Sequence, residues 1–156
     1  MGGQNNNETK KRNLAARGNF CAWMEKVAPL YFAQKHSFVQ RRKQSTAVLK
    51  KYGDRVPIVI QPQPGCLNAP WLDGSKFLVP KTQTIASLLC HIREKMALKS
   101  EIGLFFLVGT SANSATKEQY ALIGGCDMVG LLYTQYAKDD GFCYVYYSEE
   151  STFGAS

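Results

Sequence analysis

Few residues in this chain are typed and spaced for bond chemistry. Its two histidines, His36 and His91, fall in no nucleophile or zinc motif. His36 reads as a turn residue and His91 as a helix-surface residue. The five cysteines (Cys21, Cys66, Cys90, Cys126 and Cys143) are scattered without a C-x-x-C pair. They therefore read as reduced thiols, mostly small buried hydrophobes, and not as metal ligands or a redox couple. Gly124-Gly125 lacks the lysine and serine of a phosphate-cradling loop. Apart from Asp139-Asp140 and Glu149-Glu150 the acidic residues are scattered, and nothing places two carboxylates around a bond. No active site assembles; a metal, a cofactor and an enzymatic activity are not expected.

One glycine has a chemical use. After an aromatic run, SEESTFGAS (148–156) is small and polar, so it should leave the core as an extended tail. Without a Cβ, Gly154 permits close backbone approach in a narrow catalytic groove. Its carbonyl can be passed as a thioester between cysteines before reaching an amine. From position alone, an ordinary frayed terminus explains the same residues.

Positioning such a tail takes a body, and 156 residues suffice for one domain with tails. Hydrophobic residues at 45% and charged residues at 20% fit a packed globular core. No apolar run approaches the length of a spanning helix, and MGGQNNNETKKR lacks the apolar stretch of a signal peptide, so a cytosolic protein is expected unless it is attached to something. A myristoylation start would want Ser or Thr where Asn6 stands. The net charge of +7 is uneven: residues 1–55 carry twelve Lys/Arg against three Asp/Glu, and residues 56–156 carry seven against nine. The basic half could meet nucleic acid, an anionic membrane or acidic peptides, or be a solvated helix face with a basic tail.

Residues 1–28 form an extension, rich in Asn, Gly, Lys and Arg over its first 20 residues, which cannot bury enough apolar surface to order itself. FCAWMEKVAPLYF (20–32) is apolar enough for a short helix or docking segment, broken near Pro29. Ser37 followed by Gln40 is a capping box, which starts a helix. Phe38, Val48, Leu49 and Tyr52 make its apolar stripe, Arg41, Arg42, Lys43, Lys50 and Lys51 its basic remainder, and Gly53 its end. RVPIVI (55–60) is apolar on both faces, as in a strand covered on both sides. A Pro- and Gly-rich loop leads to KFLVP (76–80), whose Lys76 and Pro80 suit a rim strand. Ile85, Leu88, Leu89, Ile92 and Met96 predict an amphipathic helix of about three turns. GLFFLV (103–108), a small polar stretch (109–125), a weaker helix near 128–136 and the strand FCYVYY (142–147) follow. A helix and then β-β-α-β-α-β give an α+β fold, a mixed sheet with the main helix on one face, which is the β-grasp arrangement.

HSFVQRR (36–42), KKYGDRVPIVI (50–60), KFLVP (76–80), IREK (92–95), LFFLV (104–108) and DGFCYVYYSEESTFG (140–154) together resemble the autophagy-related protein 8 family of ubiquitin-like modifiers, the GABARAP and light-chain-3 type. The resemblance implies a ubiquitin-like β-grasp domain over residues 29–154 with additional N-terminal helices, and removal of residues 155–156. It implies a trimming cysteine protease that cuts between Gly154 and Ala155, and activating and conjugating enzymes of the ubiquitin type. The acceptor would be the amine of phosphatidylethanolamine, with the chain in the cytoplasm and, once lipidated, on autophagosome and other vesicle membranes. Partners would be cargo receptors and adaptors carrying aromatic-x-x-aliphatic motifs that add a strand to the sheet edge.

By matching motifs, the resemblance lines an aromatic pocket with Gln44, Val48, Pro57, Val59, Lys76, Leu78 and Phe142. It lines an aliphatic pocket with Phe77, Val79, Pro80, Leu88, Ile92 and Lys95. Arg55, Lys76 and Lys95 would attract acidic flanking residues. On the residues alone, Val48, Val59, Leu78 and Leu88 would be core. Gln44 replaces an acidic residue frequent in the family, His91 an aliphatic one, and the stretch 109–130 is longer than the family's loop. Two alternatives remain: a protein-conjugated modifier of the autophagy-related protein 12 kind, and a basic RNA-binding domain using Arg41, Arg42, Lys43, Lys50 and Lys51. The second needs aromatic stacking residues beside the basic face; none is clearly placed, and no nucleic acid is expected.

Overall fold

The computed structural model describes residues 31–65, 71–72, 74–111 and 117–149. The extension 1–28, most of the apolar segment 20–32, Cys21, Cys66 and the tail with Gly154 and Ala155 lie outside them. A four-residue helix, α1 (Phe32–Lys35), leads into α2 (Phe38–Lys51). The start of α2 is the expected capping box. Ser37 Oγ accepts from the Gln40 amide at 3.3 Å, and Gln40 Oε1 accepts from the Ser37 amide at 2.9 Å. At the other end Tyr52 caps the helix in extended backbone, its amide donating to the Val48 carbonyl.

Five strands follow: β1 (Arg55–Pro62), β2 (Lys76–Pro80), β3 (Leu104–Gly109), β4 (Tyr120–Leu122) and β5 (Cys143–Glu149). Between them lie α3 (Ile85–Met96) and α4 (Val129–Tyr136). The sheet order is β2-β1-β5-β3-β4, with β1 parallel to β5 and the other pairs antiparallel. This is the mixed-sheet ubiquitin-like arrangement expected, with one addition. The polar stretch 109–125 contains β4, which pairs with β3 over three positions. So short a strand, with Leu122 largely in solvent, carries no alternating pattern for a sequence to display.

Alternation along β1 and β5 divides the core into two layers. Val56, Ile58, Ile60, Val145 and Tyr147 pack with Ile85, Leu88 and Ile92 of α3 and Val129 and Leu132 of α4. On the other face Val59, Leu107, Phe142, Tyr144 and Tyr146 pack with Phe32 of α1. Pro57 is tolerated in a central strand for a geometric reason. The β1–β2 bonds join Ile60 to Ser75 and Asp54 to Lys81, so even-numbered amides of β1 face β2. Pro57 faces the other way, where pairing with β5 begins only at Ile58.

The expected apolar stripe of α2 needs correcting. Phe38 is exposed, Val48 and Leu49 are half-buried, and the buried residues of the helix are Arg41 and Ser45, one turn apart. Arg41 therefore does not belong to the solvated basic face. Its Nη1 donates to Asp140 Oδ2 at 2.5 Å and to the Tyr144 hydroxyl at 3.3 Å, and its Nε to the His36 carbonyl at 3.2 Å. The Tyr144 hydroxyl also donates to Asp140 Oδ2 at 2.6 Å, and Asp140 Oδ1 accepts from the Phe142 amide at 2.9 Å. Ser45 Oγ donates to the Asp140 carbonyl at 2.6 Å. Burial works against the Arg41 charge, but the Tyr144 and Asp140 contacts outweigh it and raise its pKa. Burial and the bond to Asp140 raise that of Tyr144, keeping the phenol neutral. A polar clasp, and not an apolar stripe, seats α2 on the sheet.

Gly141 makes the clasp possible. Its φ is +86°, and a Cβ there would collide with Ser45 Oγ. Gly141→Ala is expected to cost roughly 2 kcal/mol or more through backbone strain and displacement of α2. The measurement is the urea midpoint at constant slope; an unmoved midpoint would contradict the close approach. A second polar contact lies after β3: the Glu118 carboxylate pairs with buried Lys138 and accepts from the Ser111 amide.

Candidate functional site

β2 ends the sheet on one side. Ser75, Phe77, Val79 and Lys81 turn their hydrogen-bonding groups back to β1, by the same register that fixes Pro57. The amides and carbonyls of Lys76 and Leu78 consequently point away from the sheet, and no described strand pairs with them. An unpaired edge of this kind is a template for one further strand. Pro80, with no amide hydrogen, limits the template to the first part of β2.

Beside this edge, where α2 overhangs the sheet, lies a cavity of about 380 Å³. Gln44, Ala47 and Val48 of α2 form one wall, Pro57 and Phe142 the floor, and Lys76, Phe77 and Leu78 the rim. Six residues assigned to the aromatic pocket (Gln44, Val48, Pro57, Lys76, Leu78 and Phe142) come together here. Val59 does not line the cavity. It is wholly buried, covered by Phe32, Phe142 and Tyr144, because its side chain shares the face that α1 closes. Ala47 also lines the cavity, and its place on α2 between Gln44 and Val48 is the signal for it in the sequence. Phe77, assigned to the other pocket, also reaches this one.

The aliphatic set divides. Val79, Leu88 and Ile92 are core residues, so their contribution at the surface is as a floor. Phe77 and Pro80 are half-buried and Lys95 is exposed, its Nζ 5.9 Å from the Phe77 ring centre. Arg55, Lys76 and Lys95 are all exposed, and none of the described residues lining the cavity is acidic. Lys76 Nζ donates to Gln44 Oε1 at 3.1 Å and stands 5.9 Å from the Phe32 ring centre.

Elsewhere the described residues offer no assembled catalytic or metal site. His36 lies in the turn between α1 and α2, its ring 4.9 Å from that of Phe32, and His91 is exposed on α3. No group of three or more His, Cys, Asp or Glu gathers among the described residues. Burial pushes the Cys143 thiol up to about 12, so it stays protonated and inert, whereas Cys90 and Cys126 are free and exposed. Among the described residues, no helix is long and apolar enough to cross a membrane.

Two comparisons bear on this geometry. The model of the family described as autophagy protein Atg8, ubiquitin-like, matches residues 40–154. The crystal structure of Trypanosoma brucei ATG8 is similar, with a TM-score of 0.64 and 25% sequence identity over 78% of this chain and 96% of that one.

Proposed function

Because the chain belongs to the Atg8 family of ubiquitin-like autophagy proteins, we propose that it is a modifier, not an enzyme, joined through Gly154 to the amine of phosphatidylethanolamine on autophagic membranes. There it recruits receptors and adaptors through aromatic-x-x-aliphatic peptides. The observation that carries the recruiting role is the juxtaposition of an unpaired strand edge and an apolar cavity on β2.

A peptide laid along β2 bonds its backbone to Lys76 and Leu78, which supplies affinity without regard to sequence. Its aromatic side chain enters the cavity between α2 and β2. Three residues on, an aliphatic side chain meets Phe77 and Pro80 over the buried Val79, Leu88 and Ile92. Exposed Arg55, Lys76 and Lys95 draw in acidic residues flanking the motif, chiefly by speeding encounter. The attached lipid supplies two acyl chains, enough for stable anchoring where one chain gives only marginal binding. Trimming by a cysteine protease would first expose the Gly154 carboxylate, and activating and conjugating enzymes of the ubiquitin type would then pass it on.

Lys76→Glu tests the edge. It replaces the cation at the cavity rim with a like charge to the acidic flanks. The expected loss for an aromatic-x-x-aliphatic peptide with acidic flanks is about 1 kcal/mol or more, some fivefold in Kd and steeper at low salt. Titration calorimetry at two ionic strengths measures it; a superimposable curve would place the peptide elsewhere.

A further inference from the structure

Among the described residues lining the cavity, Gln44 and Lys76 are the ones with polar side chains. Lysine has three donors and no acceptor, so its contact with Gln44 must be to the amide oxygen, as the 3.1 Å bond has it. The Gln44 NH₂ group then has no hydrogen-bond partner among the described residues, and Gln44 lines the cavity. What the mouth of the cavity offers is therefore donors: two N–H of Gln44 and the remaining N–H of Lys76. Aromatic side chains differ in the complementary respect. A tyrosine hydroxyl accepts, an indole N–H only donates, and phenylalanine does neither. A tryptophan N–H would have to use the second lone pair of the Gln44 oxygen, beside the Lys76 ammonium, whose charge opposes a further donor. The volume of about 380 Å³ excludes none of the three rings.

We infer that Gln44, oriented by Lys76, makes this cavity select tyrosine over tryptophan and phenylalanine at the aromatic position of the peptide. The inference rests on the peptide-binding reading and adds to it a residue that sets specificity.

Three peptides, identical except for Tyr, Trp or Phe at the aromatic position and without charged flanks, are titrated into the full chain by calorimetry. The tyrosine peptide is expected to bind about three- to tenfold more tightly than the phenylalanine peptide, the size of one net hydrogen bond. Gln44→Leu removes that preference, the tyrosine and phenylalanine peptides then binding alike. Gln44→Glu exchanges the donor for an acceptor that the indole N–H and the phenol O–H can both meet, and so removes the advantage of tyrosine over tryptophan. Binding of all three with the same order in wild type and both variants, or with tryptophan first in wild type, overturns the selectivity while peptide binding stands. Failure of the wild-type chain to bind any of the three overturns both.

Discussion

Replacing Gly154 by alanine is expected to abolish conjugation, or to slow it by orders of magnitude, while leaving the folded body unchanged. A protease that cuts beyond a glycine, and enzymes that carry its carbonyl as a thioester, need the backbone in a narrow groove that a Cβ obstructs. The family match extends to residue 154 and stops there, leaving Ala155 and Ser156 outside it. Wild-type chain treated with the family's trimming protease should lose Ala155 and Ser156, and with the conjugating enzymes and phosphatidylethanolamine vesicles should gain the mass of the lipid. Intact mass spectrometry reads both steps. Gly154→Ala should retain the full-length mass or stall before the lipid is added. Efficient lipid addition to the variant would remove Gly154 from the proposal.

Asp140→Ala is expected to cost about 3–5 kcal/mol, the largest loss for any single side chain of the clasp. The Asp140 side chain is fully buried, and the Arg41 side chain beside it is only 8% exposed. Truncation leaves that charge without a counterion and removes acceptors from Tyr144 and the Phe142 amide. Against a total stability of about 5–15 kcal/mol this is a large fraction, and the urea midpoint should fall accordingly. Asp140→Asn, which keeps an acceptor but not the charge, should lose less. The clasp seats α2, whose Gln44, Ala47 and Val48 wall the cavity, so peptide affinity should fall in the same order. A loss below about 1 kcal/mol would mean that Arg41 finds water when its partner is removed.

The elements that local pattern specifies were legible. Ser37 and Gln40 fix the start of α2, and the Ile85–Met96 periodicity marks α3 because a helix must turn one apolar side to a sheet. Lys76 and Pro80 marked an edge strand, since neither suits the middle of a sheet. Arg41 was misread. A buried arginine looks like any other arginine on a basic helix until its partner is known, and Asp140 lies 99 residues away. β4 escaped because three residues, with Leu122 in solvent, hold no period. In the site, motif matching assembled most of the cavity wall but could not separate lining residues from those beneath them. Val59 and Leu78 are both apolar strand residues; α1 covers the first and leaves the second at the rim.

The chain's own order of residues thus determined its α+β class, the capped start of α2, its edge strand and the family to which it belongs, because each is written in neighbours along the sequence. Tertiary structure alone decided that α2 is seated by Arg41, Ser45, Asp140 and Tyr144, that Val59 is core, and that Gln44 turns its oxygen to Lys76. Those facts depend on contacts between distant segments, where burial changes the worth of a charge and a hydrogen bond decides which end of an amide is free.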